Sequence, residues 1–165
     1  MTGPAPARTF DAARLTPAVL DRAAGRRVLG TLVDAPTQEA TLPGLEEIAP
    51  GFPDWIVTSL FGGTYQRPGL ELRDRQLLTL AALAALGGVD PQLHGHVRSG
   101  LRLGLTGQQI TESFVHLAPY IGVPKALAAL RVATAALAEA GTDPGTGTGA
   151  DTAADTAAGA EAGTP

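Results

Sequence analysis

Residues 61–125 read FGGTYQRPGLELRDRQLLTLAALAALGGVDPQLHGHVRSGLRLGLTGQQITESFVHLAPYIGVPK, and this stretch decides the fold. It contains all three histidines of the chain, the longest apolar run and the clearest helix-capping signals. Pro68–Gly69 and Gly87–Gly88 interrupt it, and such pairs mark turns between regular elements. The pattern predicts an all-α domain with short breaks between its helices.

Caps and breaks place four helices in the second half of the chain. The first is apolar on every face from Leu77 onward, which predicts a buried central helix. Thr106 and Gln109 have the spacing of a capping box, so they predict the start of the third helix. The predicted helices span residues 73–86, 91–104, 107–120 and 124–140.

Weaker signals describe the flanking segments. Thr16–Pro17 predicts a helix start, and that helix should run to about Val33. The remaining predictions are a flexible segment at 1–14, a proline-broken connector at 34–52 with one helical turn near 45–48, a helix at 53–64 and a loop at 65–71. Residues 141–165 contain only Gly, Thr, Asp, Pro, Ala and Glu, a composition that predicts disorder. The folded domain is therefore expected at 15–140, with about six helices.

Composition excludes several functional classes. The chain has no cysteine, which removes disulfides and thiol redox chemistry. Four of its 16 acids and none of its 12 bases lie in the last 25 residues, so residues 1–140 are formally neutral. A neutral domain is a poor partner for nucleic acid or an anionic membrane. No apolar run has the roughly 18–20 residues of a membrane span, and MTGPAPARTF lacks a secretory signal. We expect a cytoplasmic protein.

The neighbouring histidines His94 and His96 lie on a predicted helix. At about 100° per residue their side chains diverge by about 160°, so they cannot easily bind one metal ion within a monomer. Each borders the face formed by Leu93 and Val97, where pocket-lining side chains usually lie. We expect no metal site, and no phosphate-binding or dinucleotide-binding motif is present, so no cofactor is expected.

Three further polar residues are candidates for chemistry, each with a structural alternative. His116 follows Glu112 by four residues, a spacing that forms either a functional pair or a surface pair. Arg67, held extended before Pro68, either binds a substrate carboxylate or pairs with an acid that fixes its loop. Gln76 lies on an otherwise apolar helix, where it needs a hydrogen-bonding partner.

The local patterns, in order, resemble the carboxymuconolactone decarboxylase family, whose superfamily includes AhpD-like alkylhydroperoxidases. FGGTYQRPGLELRDRQLLTLAALAALG, PQLHGHVRSGLRLGLTGQQI and HLAPYIGVPKALAALRVA carry the resemblance, over residues 52–138. It implies an AhpD-like helical bundle that assembles into homo-oligomeric rings, often trimers or hexamers.

The resemblance also implies roles for individual positions. His96 matches the most characteristic histidine of the family. In the redox branch two cysteines precede it, where this chain has Val89 and Gln92, so thiol–disulfide chemistry is excluded. An acidic residue of the proton relay is often found at the position of Gln76, and an amide cannot exchange a proton in its place.

These observations lead to one functional hypothesis and two alternatives. The first is a cofactor-free decarboxylase-like lyase acting on a small carboxylated, lactone or polyketide-like metabolite. His96 would be the general acid/base, since imidazole titrates near neutrality, and His94 or His116 would assist. The candidate substrate-binding residues are Arg67, Gln76, Trp55 and Tyr65. The alternatives are a tailoring isomerase or cyclase, and a non-catalytic ring-forming binding protein.

Overall fold

The structure, a computed structural model, describes residues 19–142. Every regular element within that range is helical, as the sequence predicted. The α-helices are α1 (Arg22–Leu32), α2 (Ala35–Ile48), α3 (Phe52–Trp55), α4 (Leu72–Leu86), α5 (Asp90–Arg102), α6 (Gly107–Ile121) and α7 (Val123–Thr142). A π-helical segment (Ile56–Phe61) continues α3, and a 3₁₀ turn (Thr64–Gln66) follows it. This part of the chain thus has seven α-helices rather than about six.

Helices α4 to α7 form the larger hydrophobic core, and we call residues 72–142 the helical core. Its buried side chains include Leu80, Val97, Leu105, Ile110 and Phe114. On α7 the inward positions are alanines, at 129, 133 and 136. Small side chains at this helical spacing let α7 pack closely against α5 and α6. The aliphatic composition of the chain is therefore used in tight helix packing.

The predicted breaks and caps of the helical core are confirmed. Gly87 closes α4 with a φ of 70°, and Gly122 separates α6 from α7 with a φ of 88°. Thr106 Oγ1 accepts from the backbone N–H of Gln109 at 3.1 Å, and Gln109 Oε1 accepts from that of Thr106 at 3.0 Å. Local sequence signals therefore fix where these helices begin and end.

Residues 22–66, which we call the N-terminal layer, form a smaller core around Leu29, Leu32, Val57 and Phe61. Here two backbones touch directly. A Cβ atom added to Gly25 of α1 would lie 2.1 Å from the carbonyl oxygen of Val57, in the π-helical segment. A Cβ atom on Gly62 would lie 2.4 Å from the carbonyl oxygen of Asp21. Only glycine permits this approach.

Side chains of α5 join the layer to the helical core. The buried hydroxyl of Ser99 donates to the carbonyl oxygen of Leu32 at 2.8 Å. The guanidinium of Arg102 donates to the carbonyl oxygens of Thr31 and Gly30 at 3.2 and 3.3 Å. Because the last carbonyls of a helix have no partner within it, α5 supplies the hydrogen bonds that end α1.

The structure corrects the predicted connector at 34–52. Instead of one helical turn it contains α2, which spans 14 residues. Asp34 Oδ1 caps it by accepting from the backbone N–H of Thr37 at 2.8 Å, and Pro36 lies in the first turn. Pro43 lies inside the helix, and no residue of α2 is buried. The capping signal was present, but the apolar periodicity that identifies a buried helix was not.

Other boundaries also differ. The predicted start at Thr16–Pro17 lies outside the described residues, and the helix predicted from Thr16 is wrong at residues 19–21, which are described and not helical: α1 begins at Arg22, where Asp21 caps it. The helix predicted at 53–64 is present but changes to π-helical geometry after Trp55. Helix α7 extends two residues beyond the predicted end. The predictions for 1–14 and for the tail beyond Thr142 concern residues that are not described.

The prediction that α4 is buried on every face is wrong for the single chain. Leu80 and Ala84 are buried, but Leu78 is 58% exposed and Leu86 is 67% exposed. Only the side of α4 that meets α5, α6 and α7 is covered. The remaining apolar side leaves a row of leucines at the surface.

Candidate active site

His96 is held between α4 and α5 by Gln76. The side chain of Gln76 is completely buried. Its Nε2 donates to the carbonyl oxygen of His96 at 2.6 Å and lies 3.0 Å from Nδ1 of the ring. Its Oε1 lies 3.3 Å from the same nitrogen. The amide can therefore orient the imidazole in either tautomer, by donating to an unprotonated Nδ1 or accepting from a protonated one, and this leaves Nε2 of the ring for a ligand.

The position of His96 also sets its charge. The ring is half-buried beside Val97, which is fully buried. Burial lowers the pKa of His96 below its usual value of 6.5, because the charged form loses hydration. The imidazole is therefore neutral at pH 7, and Nδ1 can accept from the Gln76 amide. A neutral imidazole can take up a proton together with an anionic ligand.

One face of His96 lines a cavity of about 650 Å³, which we call the aromatic cavity. Trp55, Phe61 and Tyr65 contribute aromatic walls from the N-terminal layer. Phe61 and Tyr65 contact each other edge to face, with ring centroids 5.1 Å apart. Mostly apolar walls with a few polar groups are typical of small-molecule sites. The structure thus brings three predicted site residues, His96, Trp55 and Tyr65, to one cavity.

The arginine of this cavity is Arg75, not the predicted Arg67. Arg75 lines the aromatic cavity, and its guanidinium carbon lies 5.8 Å from the centroid of the Tyr65 ring. Arg67 lies outside the lining, and its backbone carbonyl accepts from Arg75 Nη2 at 2.5 Å. The loop before Pro68 therefore orients the arginine of the cavity through its backbone.

Gln76 also differs from its predicted role. It was a candidate substrate-binding residue, but its complete burial beneath His96 prevents contact with a ligand. The expectation that it needs a hydrogen-bonding partner is confirmed, and the partner is His96. Gln76 is a positioning residue.

His94 contacts a different helix from His96. It lines a second cavity of about 530 Å³, which His96 and Phe61 also line. Its Nε2 lies 3.0 Å from Oε2 of Glu139 on α7, whereas His96 contacts α4. The two rings thus point to different helices, as the helical spacing predicted, and His96 lies between two cavities.

His116 lies elsewhere. It is exposed on α6 and lines a groove between α4 and α6, together with Glu112, Leu70 and Leu78. In the described part of the chain it forms no ion pair with Glu112. Its ring instead packs on Tyr120, with centroids 5.5 Å apart. Within one chain His116 does not reach the cavity of His96.

Two observations bear on other ligands. Among residues 19–142, no group of three or more His, Asp or Glu side chains is arranged to hold a metal ion. In the same range, no helix has both the length and the apolar character that crossing a membrane requires.

Sequence reasoning missed Arg75, Phe61 and Glu139. A signal for Arg75 existed: Arg75 and Thr79 are polar residues at i and i+4 of α4, and Thr79 Oγ1 donates to the carbonyl oxygen of Arg75 at 2.9 Å. Both residues line the aromatic cavity. Phe61 and Glu139 carried no comparable signal, because the cavity that Phe61 lines and the contact of Glu139 with His94 depend on how distant helices pack.

The fold and the cavity define a class of protein: an all-α domain whose ligand-sized cavity presents a neutral histidine and an arginine. Sequence comparison identifies the family. Residues 50–135 match the sequence model of the carboxymuconolactone decarboxylase family. The chain therefore belongs to this family, as the resemblance implied.

Individual proteins are also similar in sequence to this chain. The 4-carboxymuconolactone decarboxylase of Acinetobacter baylyi is 32% identical over 104 residues, which cover 63% of this chain and 77% of that protein. An uncharacterised 15.0 kDa protein of Paracoccus denitrificans is 33% identical over 96 residues, covering 58% and 72%. The nitrosuccinic acid decarboxylase of Metarhizium robertsii is 34% identical over 92 residues, covering 56% of this chain and 58% of that protein.

Proposed function

We propose that this protein is a cofactor-free lyase that removes CO₂ from a small carboxylated metabolite, with His96 as the general acid/base. The observation that carries the proposal is the neutral imidazole of His96, fixed by Gln76 and lining an aromatic cavity of ligand size. Two relatives that are named decarboxylases support the reaction type.

The chemistry requires an electron acceptor and a proton. When CO₂ leaves, the electron pair of the broken C–C bond must move to another group, and the carbon must then be protonated. An imidazole supplies only the proton, so the substrate must contain the acceptor. The names of the two decarboxylases describe a lactone and a nitro acid, and both groups can accept an electron pair.

His96 can acquire this proton when substrate binds. An anion beside an imidazole favours the charged ring, so a bound carboxylate opposes the effect of burial. The imidazolium then gives its proton to carbon and returns to the neutral state. Gln76 keeps the ring oriented throughout, because its amide can donate to Nδ1 or accept from it.

The proposal is tested by measuring CO₂ release from 4-carboxymuconolactone, nitrosuccinate and acetoacetate. The wild-type protein should release CO₂ from at least one of these acids, and His96→Asn should lose that activity. Isomerised product without CO₂ would support the tailoring-enzyme alternative. Binding of the acids without any turnover would replace the proposal with the binding-protein alternative.

One observation favours the binding-protein alternative. Gln76 occupies the position where the family resemblance implies an acidic relay residue, and a glutamine cannot pass on a proton. In this protein, however, the glutamine orients a histidine that remains titratable. Under this proposal His96 exchanges its proton directly with solvent in the cavity that it lines, without an internal relay.

We further propose that the protein acts as a homo-oligomer, a trimer or hexamer. Leu70 and Leu78 are exposed and line both the α4–α6 groove and the aromatic cavity. A second copy of the chain packed on this groove would bury these leucines and bring His116 to an interface. Light scattering should detect the oligomer, and Leu78→Glu should dissociate it. A wild-type monomer at micromolar concentration would contradict this proposal.

A further inference from the structure

Arg75 lies in the wall of the aromatic cavity and has no carboxylate partner among the described residues. Among residues 19–142, the ion pairs of arginine join Arg22 to Asp54 and Arg98 to Asp34 and Glu139. Arg75 is half-buried in the wall of the aromatic cavity, and within the described part of the chain the only hydrogen bond of its guanidinium goes to a backbone carbonyl. A partly desolvated cation without a counterion favours the binding of an anion.

The guanidinium is also held in place before any ligand arrives. Arg67 accepts from Nη2 at 2.5 Å, and the Tyr65 ring packs against the planar group. The Nε atom is buried and has no hydrogen-bonding partner in the described residues. The buried Nε is closed to a ligand, but the remaining N–H groups of an oriented, charged guanidinium are well suited to donate to an oxyanion. Arg75 thus has the properties of an anion-binding residue.

The position of Arg75 relative to His96 bears on which part of a substrate it binds. Arg75 precedes Gln76, which contacts the His96 ring, and both Arg75 and His96 line the same cavity. A substrate in that cavity can therefore contact both side chains. We propose that Arg75 binds the electron-accepting group of the substrate, not the carboxylate that leaves.

The reason is where charge moves during the reaction, which rests on the proposed function. As the C–C bond to the carboxylate breaks, CO₂ leaves as a neutral molecule and the electron pair moves to an oxygen of the acceptor. A cation on the leaving carboxylate stabilises the ground state, whereas a cation on the acceptor stabilises the transition state. The His96 imidazolium then protonates the carbon, and water restores its proton, so the net reaction consumes one carboxylate and one proton.

This assignment defines the substrate class. The carbon bearing the leaving carboxylate must also bear, or be conjugated to, a group that becomes an oxyanion, such as a ketone, lactone or nitro group. Simple monocarboxylates lack this second group and should bind with little help from Arg75. The inference therefore predicts selectivity for the oxyanion and not for carboxylates in general.

Binding measured by calorimetry tests this without relying on turnover. The probes are 3-nitropropionate in its nitronate form at alkaline pH, and butanoate, which lacks the nitro group. Wild-type protein should bind the nitronate more tightly than butanoate. Arg75→Gln should weaken nitronate binding by about 10- to 100-fold, the usual effect of losing a hydrogen bond to a charged group. Its effect on butanoate should be less than about 3-fold.

Two variants complete the test. Arg75→Lys keeps the charge but not the planar donors, so it should recover part of the nitronate affinity. Arg73→Gln changes an exposed arginine on the same helix that binds Gln109, and it should leave both affinities unchanged. Equal losses for nitronate and butanoate would assign Arg75 to the carboxylate that both probes carry, and no loss would make it structural; either result would overturn the inference. A wild-type protein without preference for the nitronate would also overturn the inference, even if it releases CO₂.

Discussion

The helical core and the N-terminal layer contribute different parts of the candidate active site. The core supplies the histidine and the glutamine that orients it, both on helices that pack around fully buried side chains. The layer supplies aromatic walls from α3, the π-helical segment and the following turn, around a smaller core. The position of His96, the proposed proton-transfer group, therefore depends on the more extensively packed region, whereas the shape of the cavity depends on the region with fewer buried side chains.

The largest expected effect concerns His96, which lies in the helical core. His96→Asn keeps an amide near Gln76 but removes the titratable ring, so CO₂ release should fall by about 10²–10⁴-fold, as expected for loss of general acid/base catalysis. Steady-state kinetics on the substrate found in the CO₂ assay measure this. His94→Asn, which removes the contact with Glu139, should cost less. Equal losses for both variants would show that the two cavities act as one site.

A second prediction concerns the close contact between backbones within the N-terminal layer. Gly25→Ala places a methyl group against the backbone of Val57 and Gly62, and should lower the free energy of unfolding by about 1–3 kcal/mol through overpacking. Gly30→Ala, in the same helix with nothing within 4 Å, should raise it by about 0.5–1 kcal/mol. Urea unfolding measures both. If the two variants have similar stability, the close contact between the backbones is not rigid.

A third prediction tests whether the aromatic walls of the cavity affect substrate binding and not the chemical step. Trp55 is 57% exposed, stacks on Phe52 and lines the aromatic cavity. Trp55→Ala should raise KM by about 2- to 10-fold, the scale of a lost aromatic contact, with kcat nearly unchanged. A loss confined to kcat would instead indicate that the layer takes part in orienting the reacting group.

The smallest effect is a dependence of stability on pH. Burial lowers the pKa of folded His96, whereas in the unfolded chain it stays near 6.5. Below that pH the unfolded state binds more protons, so stability falls as pH falls, and above it this contribution is constant. The loss of stability between pH 7.5 and pH 5.5 should therefore be greater for wild type than for His96→Asn. Identical losses, measured as urea midpoints, would mean that the ring is not buried in solution.

The same comparison shows what the sequence could predict. In the core, Gly87, Gly122 and the capping box at Thr106 act on neighbouring residues, so local patterns placed these helices correctly. In the layer, α2 buries no residue and therefore has no apolar periodicity to detect. The close approach of Gly25 to Val57, which lies in the π-helical segment, joins residues far apart in the chain.

In the candidate site, too, features set by neighbouring residues could be predicted, and features set by contacts between distant residues could not. The divergence of His94 and His96 depends only on helix geometry and could be predicted. The choice between Arg67 and Arg75 could not, since both lie near the start of α4 and only the packing of Tyr65 and the preceding loop brings one of them to the cavity. The pairing of Gln76 with His96 likewise requires the approach of α4 and α5.

The hydrogen bonding of Gln76 to His96 has a consequence for the stereochemistry of the proposed reaction. With Nδ1 engaged, Nε2 is the nitrogen from which a proton can reach the substrate. A ring held in one orientation would approach the reacting carbon from one side only, while Arg75, under the proposal above, would hold the electron-accepting group. Where that carbon is prochiral, product formed in D₂O should therefore carry its deuterium in a single configuration, and the absolute configuration would reveal which face of the substrate lies against α5.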